Sequence, residues 1–253
     1  MSVVTVSKPE KGIVVVELNR PEARNALSIE LLEALKNYIK FFGQEEGNRV
    51  LIMRGAGNVF CAGLDLKEAI DPRKAHIMAE KVAEALKELY YSPLITIAAI
   101  QGAAIAGGAG IFAACDLVVA AEGTKIGYPE TRRGLVAALV MTLLRRQVPD
   151  RFVRELLFTG ELFSAEKSKE IGLINEVVSA DKLTNTVMTM ARNVLKGAPN
   201  ATTLSKSLLD ELQTTTMEQD IKRALAFHLH ARSTSEADEG ILAFTEKREP
   251  NWD

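Results

Sequence analysis

The segment from Gln101 to Asp116, QGAAIAGGAGIFAACD, carries the most chemical information in the chain. A β-branched, apolar run delivers the chain into a turn at Gly102, and the pattern predicts a helix opening near Gly107. The first amides of a helix have no acceptor within it, and the helix dipole adds partial positive charge there. Gly107 and Gly108 carry no side chain, so a ligand can approach their N–H groups closely. Such a place suits a negative oxygen, whether phosphate, carboxylate or the oxyanion of a reacting carbonyl. The competing reading is steric: small residues let this helix pack close to a neighbour. A Walker phosphate loop is excluded, because Gly108 and Ala109 stand where Lys and Ser or Thr are needed. No G-x-G-x-x-G opens the domain after its first strand, and no G-x-S-x-G is present.

A second turn lies upstream, in FCAGLDLKE from Phe60 to Glu68. Two turns that each follow a buried strand can aim two backbone N–H groups at one atom. Asp65, taken alone, reads as a helix cap rather than a catalytic acid. Glu130 follows Pro129, and a Pro-Glu pair commonly starts a helix, where the dipole favours an acidic residue. His76, His228 and His230 lie outside these motifs, and His228 and His230 point apart on a helix. Neither a metal centre nor a redox cofactor is expected. Cys61 and Cys115 sit in apolar stretches and read as buried free thiols rather than a disulfide framework.

The elements that must position these residues follow from periodicity and turn signals. Val3–Val6 and Ile13–Leu18 read as a β-hairpin around KPEKG. Ser28 caps a predicted helix reaching about Glu45, with Leu31, Leu32, Leu35, Ile39 and Phe42 on one face. Val50–Met53 reads as a buried strand, and a helix is expected from Arg73 to Tyr91, ending before Pro93. A strand at 94–100, the glycine turn, a helix from Ala106 to Ala114 and a strand at 116–120 complete an α/β front with much parallel pairing. Beyond Pro149 the chain is mostly helix-forming, interrupted at Leu173–Val178.

The bulk composition narrows the function classes. The 253 residues are 47% hydrophobic and 25% charged, as in ordinary globular proteins. A net charge of −2 argues against a nucleic-acid partner, which requires a concentrated basic face. Leu94–Ala121 is long and apolar enough to suggest a membrane span, but its β-branched start and central glycines favour strand, turn, buried helix and strand. No membrane association is therefore expected. The opening MSVVTVSKPEKG lacks a signal-peptide pattern, which leads to an expectation of a cytoplasmic protein.

NRPEARNAL (19–27), FCAGLDLKE (60–68), the glycine turn and GYPETRRGL (127–135) resemble, in order, the signatures of the crotonase superfamily, the enoyl-CoA hydratase/isomerase family. EGILAFTEKR (239–248) resembles its C-terminal helix, so the likeness covers nearly the whole chain. The resemblance implies an α/β fold, a crotonase-like spiral of strand–strand–helix turns with a helical C-terminal trimerisation region. It divides the chain into an acyl-CoA-binding core at 1–180 and a helical region at 181–253. It implies an acyl-CoA thioester substrate, with coenzyme A part of the substrate and no separate cofactor. It also implies a homotrimer or homohexamer, with Leu225, Leu229, Ile241 and Phe244 buried against neighbouring subunits.

Residue by residue, the resemblance places an oxyanion hole at the N–H groups of Leu64 and Gly107. It places coenzyme A along Ala23, Arg24, Ala62, Asp65, Leu66 and Lys67, with Phe244 and Lys247 over the adenine end. Hydratases of the family commonly use two glutamates. The second corresponds to Glu130, while the first position, counted back from Asp116, is Gly110, and its carboxylate is lost. A single carboxylate can carry a proton between C2 and C4 of one acyl chain, which favours isomerase-type chemistry. Hydration or dehydration of a short or branched enoyl-CoA is the alternative, ahead of decarboxylation or thioester hydrolysis. A reading of another class is a non-catalytic acyl-CoA-binding or assembly protein.

Overall fold

The structure is a computed structural model that describes residues 2–69, 72–133 and 136–214, and beyond these Ser235, Glu239, Ala243, Glu246, Arg248 and Asn251. The chain divides into compact units at Met1–Ala191 and Arg192–Asp253.

The first unit is built on a six-stranded sheet. Strands β1 (Val4–Glu10) and β2 (Ile13–Leu18) pair antiparallel. Strands β3 (Val50–Gly55), β4 (Ile95–Ile100), β6 (Leu117–Ala121) and β9 (Glu176–Val178) then add in parallel, giving the order β1-β2-β3-β4-β6-β9. The middle strands are covered on both faces, and so their sequences IVVVEL, VLIMRG and ITIAAI do not alternate with polar residues. β1 runs past the predicted Val6 through Pro9 with a register shift, as an edge strand allows, since proline there removes no ladder bond.

A smaller sheet takes strands that follow directly on β4 and β6. It holds β5 (Ala103–Ile105), β7 (Lys125–Gly127) and β8 (Phe163–Ser164), in that order. Single bridges, Leu27 to Leu64 and Cys61 to Ala104, extend it by one layer per turn of chain. The repeating unit is thus long strand, short strand, helix: the spiral expected from the resemblance. Three-residue strands are too short to show a period, so β5, β7 and β8 do not stand out in the sequence.

The helices close the faces. In α1 (Ile29–Gln44) the predicted Leu31, Leu32, Leu35, Ile39 and Phe42 are all buried, and Ser28 Oγ accepts the Leu31 N–H at 3.2 Å. Each such leucine contributes roughly 1.5–3 kcal/mol by leaving water. Next come α2 (Leu66–Ala69), α3 (Pro72–Tyr90), α4 (Gly107–Ala113), α5 (Ala138–Gln147), α6 (Asp150–Thr159), α7 (Ala165–Glu170) and α8 (Leu183–Leu195). Asp116 and Thr96 lock the starts of β6 and β4 together. The Asp116 carboxylate accepts the Thr96 N–H at 2.8 Å and its hydroxyl at 2.9 Å, and the Thr96 hydroxyl accepts the Asp116 N–H at 2.9 Å.

In the second unit, α9 (Pro199–Glu211) starts with proline at its first turn, where no N–H is missed. Arg248 grips both carboxylate oxygens of Glu239, at 2.6 and 3.0 Å, which lowers that carboxyl to about 2. Leu225, Leu229, Ile241, Phe244 and Lys247 lie outside the described residues. No helix among the described residues is long and apolar enough to cross a membrane.

Candidate active site

The two turns singled out by sequence lie against each other. Leaving β3, the chain pairs with the start of the small sheet: the Phe60 N–H donates to Gln101 O at 2.9 Å and the Cys61 N–H to Ala103 O at 3.1 Å. The Ile105 N–H returns a bond to Cys61 O at 3.0 Å. One residue later the bonds switch sides. The Ala62 N–H donates to Arg24 O at 3.0 Å, the Leu27 N–H to Gly63 O at 2.8 Å, and the Asp65 N–H to Leu27 O at 2.9 Å. In extended chain, successive residues point their backbone groups to opposite edges. With Gly63 O and Asp65 N facing Leu27 in the parallel bridge, the Leu64 N–H points away from Leu27.

The second turn is shaped by backbone strain. Gly102 has φ of +66°, and a Cβ there would stand 2.0 Å from Asn58 O. Ala106 holds φ of 53° and ψ of −125°, a conformation that side chains other than glycine rarely adopt. Its N–H is fixed to Gly127 O at 2.8 Å. Gly107 then opens α4. Among the described residues, neither the Leu64 N–H nor the Gly107 N–H is paired with a protein acceptor.

Glycines let the turns meet, though not all for the expected reason. A Cβ at Gly108 would lie 2.6 Å from both the oxygen and the sulfur of Cys61, so this glycine serves turn-to-turn packing rather than ligand approach. A Cβ at Gly63, where φ is +98°, would lie 3.0 Å from Ile105 O. At Gly107 the nearest atoms are the side-chain ends of Leu27 and Leu64, at 3.3 and 3.7 Å. Cys61 is a packing residue: its thiol donates to Asn25 O at 3.0 Å, and burial pushes its pKa up to about 12. It is no nucleophile at neutral pH.

Glu130 sits in the 3-10 turn Pro129–Arg133, with its Oε2 buried. The turn is pinned to α6 through the Thr131 hydroxyl, which donates to Leu157 O at 3.0 Å. Tyr128 is fully buried, and its hydroxyl reaches Ala109 O of α4 at 3.5 Å. Its phenol is pushed up by burial first and by the negative charge of Glu130 second. Gly110, one residue further along α4, has no room for a side chain: a Cβ would meet Val140 Cγ1 of α5 at 2.5 Å and Leu86 of α3 at 3.6 Å.

The remaining predicted residues form a strip along the first turn. Ala23 ends the 3-10 turn Pro21–Ala23, Arg24 follows with φ of 51° and an exposed side chain, and the Arg24–Ala62 bond brings both beside Ala62. Leu66 opens α2, and Lys67 is exposed. Asp65 differs in kind. Its Oδ2 accepts Arg20 Nη2 at 2.9 Å and its Oδ1 accepts the Lys67 N–H at 3.1 Å. Burial raises its pKa, but the Arg20 hydrogen bond, the Lys67 amide and both positive charges outweigh that and leave it lowered.

Two supporting residues were not singled out from sequence, although both lie within NRPEARNAL. Asn25 is fully buried, with its side-chain oxygen accepting the Arg20 N–H at 2.8 Å and its amide donating to Ala56 O and Val59 O at 2.9 and 2.8 Å. An asparagine in a proline-containing loop is the signal that points to such a left-handed hub. Arg20 carries no comparable local signal.

Residues 8–253 match the family model described as enoyl-CoA hydratase/isomerase. A Thermus thermophilus protein bearing the enoyl-CoA hydratase name is 37% identical over 251 residues, covering 96% of this chain and 98% of its own. The short-chain-enoyl-CoA hydratase of Clostridium acetobutylicum is 34% identical, with 96% and 95% covered. The crystal structure of enoyl-CoA hydratase from Bacillus anthracis superposes with a TM-score of 0.95 at 30% identity, covering 99% of this chain and 98% of that one. With spiral, turns and sequence in agreement, the chain belongs to the enoyl-CoA hydratase/isomerase family, the crotonase superfamily, and is an acyl-CoA enzyme of that family.

Proposed function

We propose that the acyl-CoA carbonyl oxygen sits between the Leu64 and Gly107 N–H groups and that Glu130 is the single proton carrier, moving a proton between C2 and C4 of a 3-enoyl-CoA. Charge moves onto the thioester oxygen as C2 loses its proton, and preset donors stabilise that charge more than the neutral carbonyl. The carboxylate of Glu130 takes the C2 proton, the double bond shifts through the dienolate, and the same carboxyl returns the proton at C4. Exposed Arg24 and Lys67 suit the phosphates of coenzyme A, and Phe244 and Lys247 are carried over as its adenine cover from the resemblance alone. The homotrimer or homohexamer rests on the same ground.

The observation that carries the isomerase reading is the packing around Gly110. Even the first carbon of a side chain at Gly110 would meet Val140 Cγ1 at 2.5 Å, so a second carboxylate cannot be carried there without moving Val140. Hydration is the second reading, supported by the hydratase names of the relatives. The test is to assay wild type and Glu130→Gln on a 3-enoyl-CoA and on a 2-enoyl-CoA in water. Isomerisation is expected to dominate and to fall about a hundredfold or more in the variant, with thioester affinity nearly unchanged. Efficient hydration without isomerisation would give preference to the second reading.

A further inference from the structure

We propose that the Arg20–Asp65 ion pair is the positioning device of the Leu64 donor, so that Arg20 acts on the reaction through the backbone without touching the acyl-CoA. The inference rests on the oxyanion role of the Leu64 N–H given above. That N–H is aimed by a single bridge, in which Leu27 holds Gly63 O on one side and the Asp65 N–H on the other. Glu68 of α2 adds a tie on the far side of the bridge, its N–H donating to Asp65 O at 3.1 Å and its carboxylate accepting the Ile29 N–H at 2.9 Å, so the ion pair shares the work of holding the bridge with α2.

One guanidinium holds both strands of that bridge. Arg20 Nη1 donates to Ala26 O at 2.6 Å, one residue before Leu27, and Nη2 donates to Asp65 Oδ2 at 2.9 Å, one residue after Leu64. The Arg20 N–H is itself tied to the buried Asn25. The two side chains are only 20% and 13% exposed, so the charge-assisted bond is little screened. Both of these donors, and both Asp65 oxygens, are engaged within the protein. Lysine cannot hold two acceptors in this fork, since it presents a point charge instead of a planar pair of donors.

The position of a backbone donor can be read directly. Butyryl-CoA labelled at its carbonyl carbon, bound to the protein, reports through its infrared carbonyl stretch how strongly that oxygen is polarised. Wild type is expected to lower the frequency relative to free butyryl-CoA. In Arg20→Gln and Asp65→Asn the lowering should shrink and kcat on the enoyl-CoA substrate should drop by about tenfold or more, as small misplacements do. Affinity for butyryl-CoA should stay close to that of wild type, and Arg20→Lys should recover part of the shift. Asp65→Asn, nearly isosteric, carries the test if Arg20→Gln folds poorly. A full wild-type shift with unchanged kcat in a folded variant overturns the positioning role alone. Absence of any shift in wild type overturns the oxyanion reading and this proposal together.

Discussion

The two turns that meet at the candidate site are held in different ways. The turn at Phe60–Asp65 is braced by polar side chains: Asn25, fully buried, and the Arg20–Asp65 pair. The turn at Gly102–Gly107 has, among the described residues, no ion pair; its polar side-chain tie is at the entry, where Gln101 Nε2 donates to Gly55 O at 2.7 Å and Gly57 O at 3.0 Å. It is shaped by backbone bonds, by left-handed conformations at Gly102 and Ala106, and by contact too close for a side chain at Gly108. On the proposed reading, one donor is aimed by charge and hydrogen bonds, and the other by shape. The first should therefore respond to pH and to loss of a partner, and the second to added volume and to relief of strain.

The largest effect is expected from a wedge between the turns. Gly108→Val puts carbon atoms into the space now held by Cys61, 2.6 Å from where the new Cβ would stand. Overpacking of this kind should cost about 3 kcal/mol or more, read from the urea midpoint of unfolding. A variant as stable as wild type would mean that the turns are not in rigid contact.

How much of this was legible beforehand differs between the turns. The glycine turn and α4 stand out in sequence because Gly102, Gly107 and Gly108 punctuate an apolar run, and the helix begins where the pattern places it. The strip from Ala23 to Lys67 is proposed from the family's motifs. The brace was not legible, because Arg20 and Asp65 are 45 residues apart and an ion pair leaves no periodic trace. Likewise the absence of a carboxylate at Gly110 is plain in the sequence, but Val140 filling its place depends on how α5 crosses α4. Short strands such as β5 escaped because three residues cannot establish a period.

A smaller effect should follow from removing charge at the braced turn. The Asp65 carboxyl is held below its ordinary value in the folded state, so the folded protein binds fewer protons there than the unfolded chain does. Its contribution is fully present above the unfolded value near 3.8 and is lost as pH falls through the lower folded value. Asp65→Asn should cost about 2 kcal/mol at neutral pH, with the gap to wild type closing as the solution is acidified below roughly pH 4. Denaturant titrations at several pH values check this. A gap that does not change with pH would mean the carboxylate contributes only by its shape.

The smallest effect lies in the shaped turn and has the opposite sign. Ala106→Gly removes the penalty of a left-handed alanine, φ of 53°, while adding flexibility to the unfolded chain. The net result should be a stabilisation of about 1 kcal/mol, seen as a rise in Tm. A loss of stability would show that the alanine methyl contributes more by packing than its backbone costs.

The central claim is that a thioester enolate forms between these turns with Glu130 as the proton carrier, and exchange of the C2 proton tests it most directly. A saturated acyl-CoA in heavy water offers no double bond to hydrate or move, so any deuterium it gains at C2 reports enolate formation alone. Wild type should incorporate deuterium at C2, and Glu130→Gln should bind the same acyl-CoA without incorporating it. Binding by wild type with no exchange, or exchange undiminished in Glu130→Gln, would contradict the account.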